Sequence, residues 1–152
     1  MDLLEELSVL LVQLREARVP YALCGGLAAS VYGITRPTDD IDILIPGPAL
    51  PVLRRAVMRI GYDHECPVES RADGKILISN FFKTSPHGKG SVILDALHVT
   101  PWVEEAAWEG RKTLKTEMGE VSIVSREGLA ALLRLRNTPA DQGCATRLEV
   151  WD

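Results

Sequence analysis

Cysteine is scarce in this chain: Cys24, Cys66 and Cys144 are its complement, and no two of them form a Cys-x-x-Cys pair. An odd count without paired spacing speaks against a disulfide framework, and reduced thiols in a cytoplasmic protein are the expected state. Long apolar runs are missing too. None approaches the roughly 18 residues of a membrane-spanning helix, so no membrane association is expected. The opening stretch MDLLEELSVLLVQLREARVP is apolar but carries acids within its first six positions. Without a basic leading segment it does not read as a signal peptide. Charge of one sign is not in large excess either. A formal net charge of −4 argues against a general nucleic-acid coat but leaves room for a local basic groove. Repeats, low-complexity tracts and linkers are absent, and 152 residues suit a single domain spanning 1–152.

What is present is an alternation of helical and strand-like segments. Leu3, Leu4, Leu7, Leu10, Leu11 and Leu14 recur at helical spacing and predict an amphipathic helix over 2–18, ended by Pro20. Tyr21–Cys24 predicts a short strand, Gly25-Gly26 a tight turn, and Leu27–Tyr32 a small-residue helix stopped by Gly33. The loop Ile34–Asp39 leads into a strand over Asp40–Ile45, closed by Pro46-Gly47-Pro48. Another amphipathic helix is expected over 49–60, with Gly61 past its end. Strands over Lys75–Phe82 and Ser91–Val99 flank a Gly- and Lys-containing hairpin loop at 85–90. Leu114–Val124 predicts a second hairpin, broken at Met118-Gly119. Ser125 is placed to cap a helix reaching about Arg136, and Pro139–Val150 suits one more. The fold class this implies is α+β, with helices flanking a small mixed β-sheet.

The most informative segment is Asp40-Ile41-Asp42-Ile43-Leu44-Ile45, fourteen residues after Gly25-Gly26. Side chains alternate along a strand, so Asp40 and Asp42 share one face while Ile41, Ile43 and Ile45 share the other. The two acids stand about 7 Å apart at the backbone. Like charges that close repel unless a cation or a proton intervenes, and hard oxygen ligands favour magnesium or manganese. The preceding glycines let a bulky anion approach the backbone, and a helix beginning there presents N–H groups to a phosphate. Asp95 is a single charge inside the apolar run Val92-Ile93-Leu94-Asp95-Ala96-Leu97, costly to bury without compensation. Taken singly, these features have plain readings as a solvated strand edge and an ordinary turn.

Taken together, the segment LCGGLAASVYGITRPTDDIDILI resembles the signature of the DNA polymerase beta-type nucleotidyltransferase superfamily: a hydrophobic residue, Gly-Gly or Gly-Ser, a helix, then Asp-x-Asp. Arg36-Pro37-Thr38-Asp39-Asp40-Ile41-Asp42 matches the Arg-x-Thr-x-Asp-x-Asp form of small bacterial members, including those similar to abortive-infection nucleotidyltransferase toxins. The resemblance covers residues 20–100 well and the hairpin and helices of 110–152 weakly. It implies a minimal polymerase beta-like fold and metal-dependent transfer of a nucleoside monophosphate from a nucleoside triphosphate to an acceptor hydroxyl. In that scheme Asp40, Asp42 and Asp95 are the catalytic acids and hold Mg2+ or Mn2+, while Gly25, Gly26, Arg36 and Thr38 bind the nucleotide. A macromolecular acceptor, protein or RNA, that brings its own contacts follows as an expectation, or a homodimer that completes the cleft; a cognate toxin or antitoxin partner is expected from the resemblance alone. Two alternatives stand beside this reading. One is an inactive nucleotide- or partner-binding module of the same fold. The other is a small-molecule, antibiotic-modifying transferase, for which Glu104, Glu105 and Glu109 are the nearby acidic cluster.

The C-terminal third departs from the family pattern. Leu133 stands where relatives place a lysine, and in their following Arg-x-x-Asp-x-x-Asp, Asp141 fits the first acid and Cys144 stands at the second. Arg134 or Arg136 is left as a substitute phosphate ligand, though neither is equivalent in position. The remaining candidates have plainer readings. Thr38 is expected to cap the turn before its strand, and the alternative for Arg36 is a surface arginine. Asp39 is expected to point away from Asp40 and Asp42 as a solvated neighbour. Lys83, His87 and Lys89 read as a solvated loop, Trp102 and Trp108 as packing residues, and His64 with Cys66 makes no metal site.

Overall fold

The computed structural model describes residues 2–84 and 91–150; the hairpin loop expected over 85–90 lies outside them. Helix α1, Leu3–Glu16, is capped by Asp2, whose carboxylate accepts from the Leu4 N–H at 2.9 Å. Leu7, Leu10, Leu11 and Leu14 form its buried stripe. The helix stops short of Pro20, because Arg18 adopts a left-handed φ of 55°. Strand β1, Ala22–Cys24, then runs directly into α2, Gly25–Val31. Gly25 and Gly26 are therefore the first residues of a helix rather than a free turn. Strand β2 occupies Asp40–Ile45, as the alternation predicts. A 3-10 turn at Gly47–Ala49 precedes α3, Leu50–Met58.

The other strands are β3 (His64–Glu65), β4 (Glu69–Arg71), β5 (Ile76–Thr84), β6 (Ser91–His98), β7 (Lys112–Thr116) and β8 (Gly119–Ile123). A π-helical turn covers Glu104–Glu109. Helix α4, Arg126–Arg136, begins at Ser125, whose hydroxyl accepts from the Gly128 N–H at 3.0 Å, and ends at Asn137 in a left-handed conformation. Such a cap contributes about 1 kcal/mol. Helix α5 spans Pro139–Val150.

Among the described residues one mixed sheet runs β3-β5-β6-β2-β1-β8-β7, with β4 also pairing with β5. Strands β2 and β6 are parallel, as are β1 and β8; the remaining pairs are antiparallel. Central position explains the composition of β2. Ile41, Ile43, Leu44 and Ile45 are all fully buried, the near-continuous apolar run of a strand covered on both faces. Helices α1 and α3 pack together, and α1 also meets β2; α2 packs against β1, β2 and α4, and α4 against α5 and the π-helical turn. The core is mainly aliphatic, with Tyr62 and Phe81 as its largest buried side chains. Among the described residues no helix is long and apolar enough to cross a membrane.

Candidate active site

The pairing of β2 with its neighbours assembles a row of four polar side chains across the sheet. In the parallel β2–β6 ladder Asp42 lies opposite Asp95. On the far side of β6, Asn80 of β5 lies opposite Asp95, and on the far side of β2, Cys24 of β1 lies opposite Asp42. Residues paired across a ladder share a face, and so do residues two apart. Asp40, Asp42 and Asp95 therefore project from one face of the sheet. Asn80 fixes the third acid: its Nδ2 donates to Asp95 Oδ1 at 2.5 Å. Asn80 was not among the candidates from sequence. Its signal is the same as that of Asp95, a polar side chain inside an apolar strand, Ile76-Leu77-Ile78-Ser79-Asn80-Phe81.

Helix α2 lies over this face, and both glycines at its start have side-chain neighbours. A Cβ on Gly25 would fall 1.9 Å from Asp42 Oδ2, and Gly25 also has a φ of +68°. A Cβ on Gly26 would fall 2.7 Å from Thr38 Oγ1. The glycines make room for Asp42 and Thr38, side chains of the motif itself. Thr38 also reaches back to its strand, its hydroxyl donating to the Asp40 carbonyl at 3.4 Å.

Two of these carboxylates, Asp40 and Asp42, are held back from ionising. Burial, then the charge of Asp95, pushes Asp42 up to about 7. Burial, then Asp39 and Asp95, pushes Asp40 up to about 6. Asp39 is exposed, as a solvated neighbour is expected to be, and its charge still reaches Asp40. The Cys24 thiol is raised well above its ordinary value by burial and by Asp42, which keeps it protonated and unreactive. In each of these three cases the charge of Arg136 acts in the opposite direction.

Arg36 is partly exposed but not free. Its Nη1 donates to Asp141 Oδ1 at 3.1 Å, which ties the loop before β2 to α5. Asp141 is fully buried, and its Oδ2 lies 3.5 Å from Arg136 Nε. Of the two arginines left open by sequence, Arg134 is committed to α5: it donates to both carboxylate oxygens of Glu149 and to Gln142 Oε1. Leu133 and Cys144 are buried core residues. Three further expectations change. Trp102 is 64% exposed rather than packed, with the Lys75 ammonium 4.9 Å from its ring centre. Lys83 is not a loop residue but part of β5, ion-paired with Glu6 at 2.7 Å. Trp108 does pack against the core. His87 and Lys89 lie outside the described residues.

Among the described residues no group of three or more His, Cys, Asp or Glu side chains is placed to hold a metal ion. The donor set still suits a magnesium-class ion. Such ions keep several waters and take one or two carboxylates plus substrate phosphates. Asp40 and Asp42 are raised first by burial and then by neighbouring carboxylates, a repulsion that a cation would relieve.

No family model matches the chain, and no curated protein matches it significantly. Solved structures do match. The crystal structure of ANT(2″)-Ia in complex with adenylyl-2″-tobramycin superposes with a TM-score of 0.59 at 18% identity, covering 95% of this chain and 85% of that one. The solution structure of ANT(2″)-Ia, an antibiotic-resistance factor, gives 0.58 at 21% identity over 97% and 83%. A Thermotoga maritima protein assigned as a nucleotidyltransferase gives 0.63 at 15% identity over 98% and 96%. Identities this low carry fold and not function. The α+β architecture of this chain, with its helix-flanked mixed sheet, is the nucleotidyltransferase fold.

Proposed function

We propose that this chain transfers a nucleoside monophosphate from a nucleoside triphosphate to a hydroxyl of a macromolecular acceptor, a protein or an RNA. The observation that carries the reading is the register that sets Asp42 opposite Asp95, with Asp40 on the same face, in a fold shared with nucleotidyltransferases. The acceptor oxygen attacks the α-phosphorus in line. The bond from that phosphorus to the oxygen bridging to the β-phosphate breaks, and pyrophosphate leaves. The hydroxyl proton passes to Asp95, which Asn80 holds in place. Asp40, Asp42 and Asp95 would hold Mg2+ or Mn2+, which supplies neutralisation of the triphosphate charge. The protein's remaining task is positioning.

Incubation with α-labelled nucleoside triphosphates, magnesium and separated protein and RNA fractions tests the reading. Label should move to one fraction with wild type, and not with Asp42→Asn or Asp95→Asn variants that keep their circular dichroism. Equal labelling by wild type and Asp42→Asn would sink it.

Two observations favour other readings. The likeness to ANT(2″)-Ia and the exposed acids Glu104, Glu105 and Glu109 suit a cationic antibiotic as acceptor. Label transfer to an aminoglycoside in preference to either macromolecular fraction would decide for it. Leu133 and Cys144, buried where relatives carry a lysine and an acid, suit an inactive nucleotide-binding module. Magnesium-dependent triphosphate binding without turnover would identify that case.

A further inference from the structure

Strand β7 closes one end of the sheet, and among the described residues no strand pairs with its outer edge. Which of its backbone groups face outward follows from β8. Ser122 donates its N–H to the Tyr21 hydroxyl at 3.2 Å, and Val124 donates its N–H to the Leu23 carbonyl at 3.0 Å, so both face β1. Val121 and Ile123 between them face the other way, toward their ladder partners Leu114 and Lys112. Lys112, Leu114 and Thr116 therefore turn their backbone groups to β8. Thr113 and Lys115 turn N–H and C=O to the open side. An edge of this kind is a template for another strand.

The charges along the edge decide which strand fits. Arg111 and Lys112 stand at one end. Glu117 stands at the other, beside a groove of about 420 Å³ that Thr116 and Met118 share with Asp2, Leu4 and Glu5 of α1. Arg111, Lys112, Lys115, Glu117 and Glu5 are exposed, and none is ion-paired among the described residues. A strand that is basic at one end and acidic at the other complements a copy of itself running the opposite way, which is the arrangement of a two-fold interface.

Antiparallel self-pairing must match outward-facing residues with outward-facing residues, which leaves three registers. Thr113 opposite Thr113 sets Arg111 against Lys115. Lys115 opposite Lys115 sets like charges together. Both are unfavourable. Thr113 opposite Lys115 sets Leu114 against Leu114, Lys112 against Thr116 and Arg111 against Glu117. Edge lysines usually discourage pairing altogether; here they exclude two registers and leave the third. In that register Lys112 of the second copy enters beside the acids of the groove. Its stem covers Leu4, which is 57% exposed.

We propose that β7 pairs with β7 of a second copy of this chain, antiparallel about Leu114, and continues the sheet across a two-fold axis. The proposal goes beyond the transferase reading and does not rest on it. Strands β8 and β1 separate β7 from β2, so the second copy begins about 14 Å or more from the acid row and leaves it open.

Disulfide trapping reads the register directly. In a Cys66→Ser background, which removes the half-buried native thiol, Leu114→Cys should give a covalent dimer on mild oxidation. Facing residues of a non-hydrogen-bonded pair bring their Cα atoms to about 4.5 Å, within disulfide range. Thr113→Cys and Lys115→Cys should cross-link far more slowly alone and rapidly when mixed. Sedimentation equilibrium of the unaltered chain should show a dimer. Thr113→Pro removes an outward donor and leaves the β8 ladder whole. It should raise the dissociation constant at least about tenfold, the loss expected for two backbone hydrogen bonds per dimer. Arg111→Glu and Glu117→Arg should each weaken the dimer, and the double variant should recover it, which decides the matter even where Thr113→Pro folds poorly. A chain that stays monomeric at every concentration overturns the proposal, whether or not another protein takes the edge. Preferred trapping at position 113 or 115 alone overturns the register, and a dimer indifferent to Thr113→Pro and to the charge reversals overturns the interface.

Discussion

Gly25 and Asp42 occupy adjoining space: a Cβ on the glycine would lie 1.9 Å from Oδ2 of the aspartate. The first residue of α2 and the central acid of β2 are thus fitted to each other. A side chain at either position is constrained by the other.

Gly25→Ala should therefore be costly on two counts. The left-handed φ of +68° costs about 1–2 kcal/mol for an L-residue, and the clash with Asp42 adds to it. Urea melts of Gly25→Ala, Asp42→Ala and the double variant separate the two. Asp42→Ala removes the contacts to Oδ2 and Cγ but leaves a Cβ 2.7 Å away, so the double variant should recover only part of the loss. Full additivity would show that the two side chains do not meet.

Stability should depend on pH in a direction opposite to the usual carboxylate case. Asp42 and Asp40 are raised from 3.8 to about 7 and about 6, chiefly by burial. The folded chain then binds more protons than the unfolded chain across that window. The contribution is fully present below the unfolded value and is lost as pH rises through the folded values. Metal-free protein should melt progressively lower as pH rises toward 7, Asp42→Asn should flatten the curve, and saturating magnesium should raise the melting temperature most at the alkaline end. A flat metal-free profile would show that the acids are not held as described.

A lysine at position 133, where the resembled pattern would carry one, should not be tolerated. Leu133 is 1% exposed, and an unpaired ammonium there has no water and no anion. Leu133→Lys should destabilise the chain by roughly 3 kcal/mol or more, without improving triphosphate affinity. A stable Leu133→Lys with tighter binding would mean that α4 turns a different face to the site.

Much of this architecture is legible in periodicity, and the failures share a cause. Strand β2 can be read from Asp40 to Ile45 because alternation reports which residues share a face. The register that sets Asp42 against Asp95, and Asp95 against Asn80, cannot be read that way, since pairing is a long-range choice. Strands β3 and β4 span His64–Glu65 and Glu69–Arg71, too few and too polar to show any period. The glycines were expected from the needs of an anion, but their immediate neighbours are Asp42 and Thr38. Trp102 reads as a packing residue in sequence but stands exposed, with the Lys75 ammonium over its ring. Arg36 and Asp141 each stand in a recognisable motif, yet only the fold shows that they meet.

The parallel ladder between β2 and β6 has one further consequence. The two acids it joins belong to strands far apart in the chain, and parallel pairings of this kind form late, after loop-closure entropy has been met. Until β6 docks, Asp42 has no Asp95 beside it and Asn80 has nothing to hold. A chain still emerging from the ribosome, or truncated before β6, carries the motif but not the site. A partly folded copy lacks the assembled row of acids.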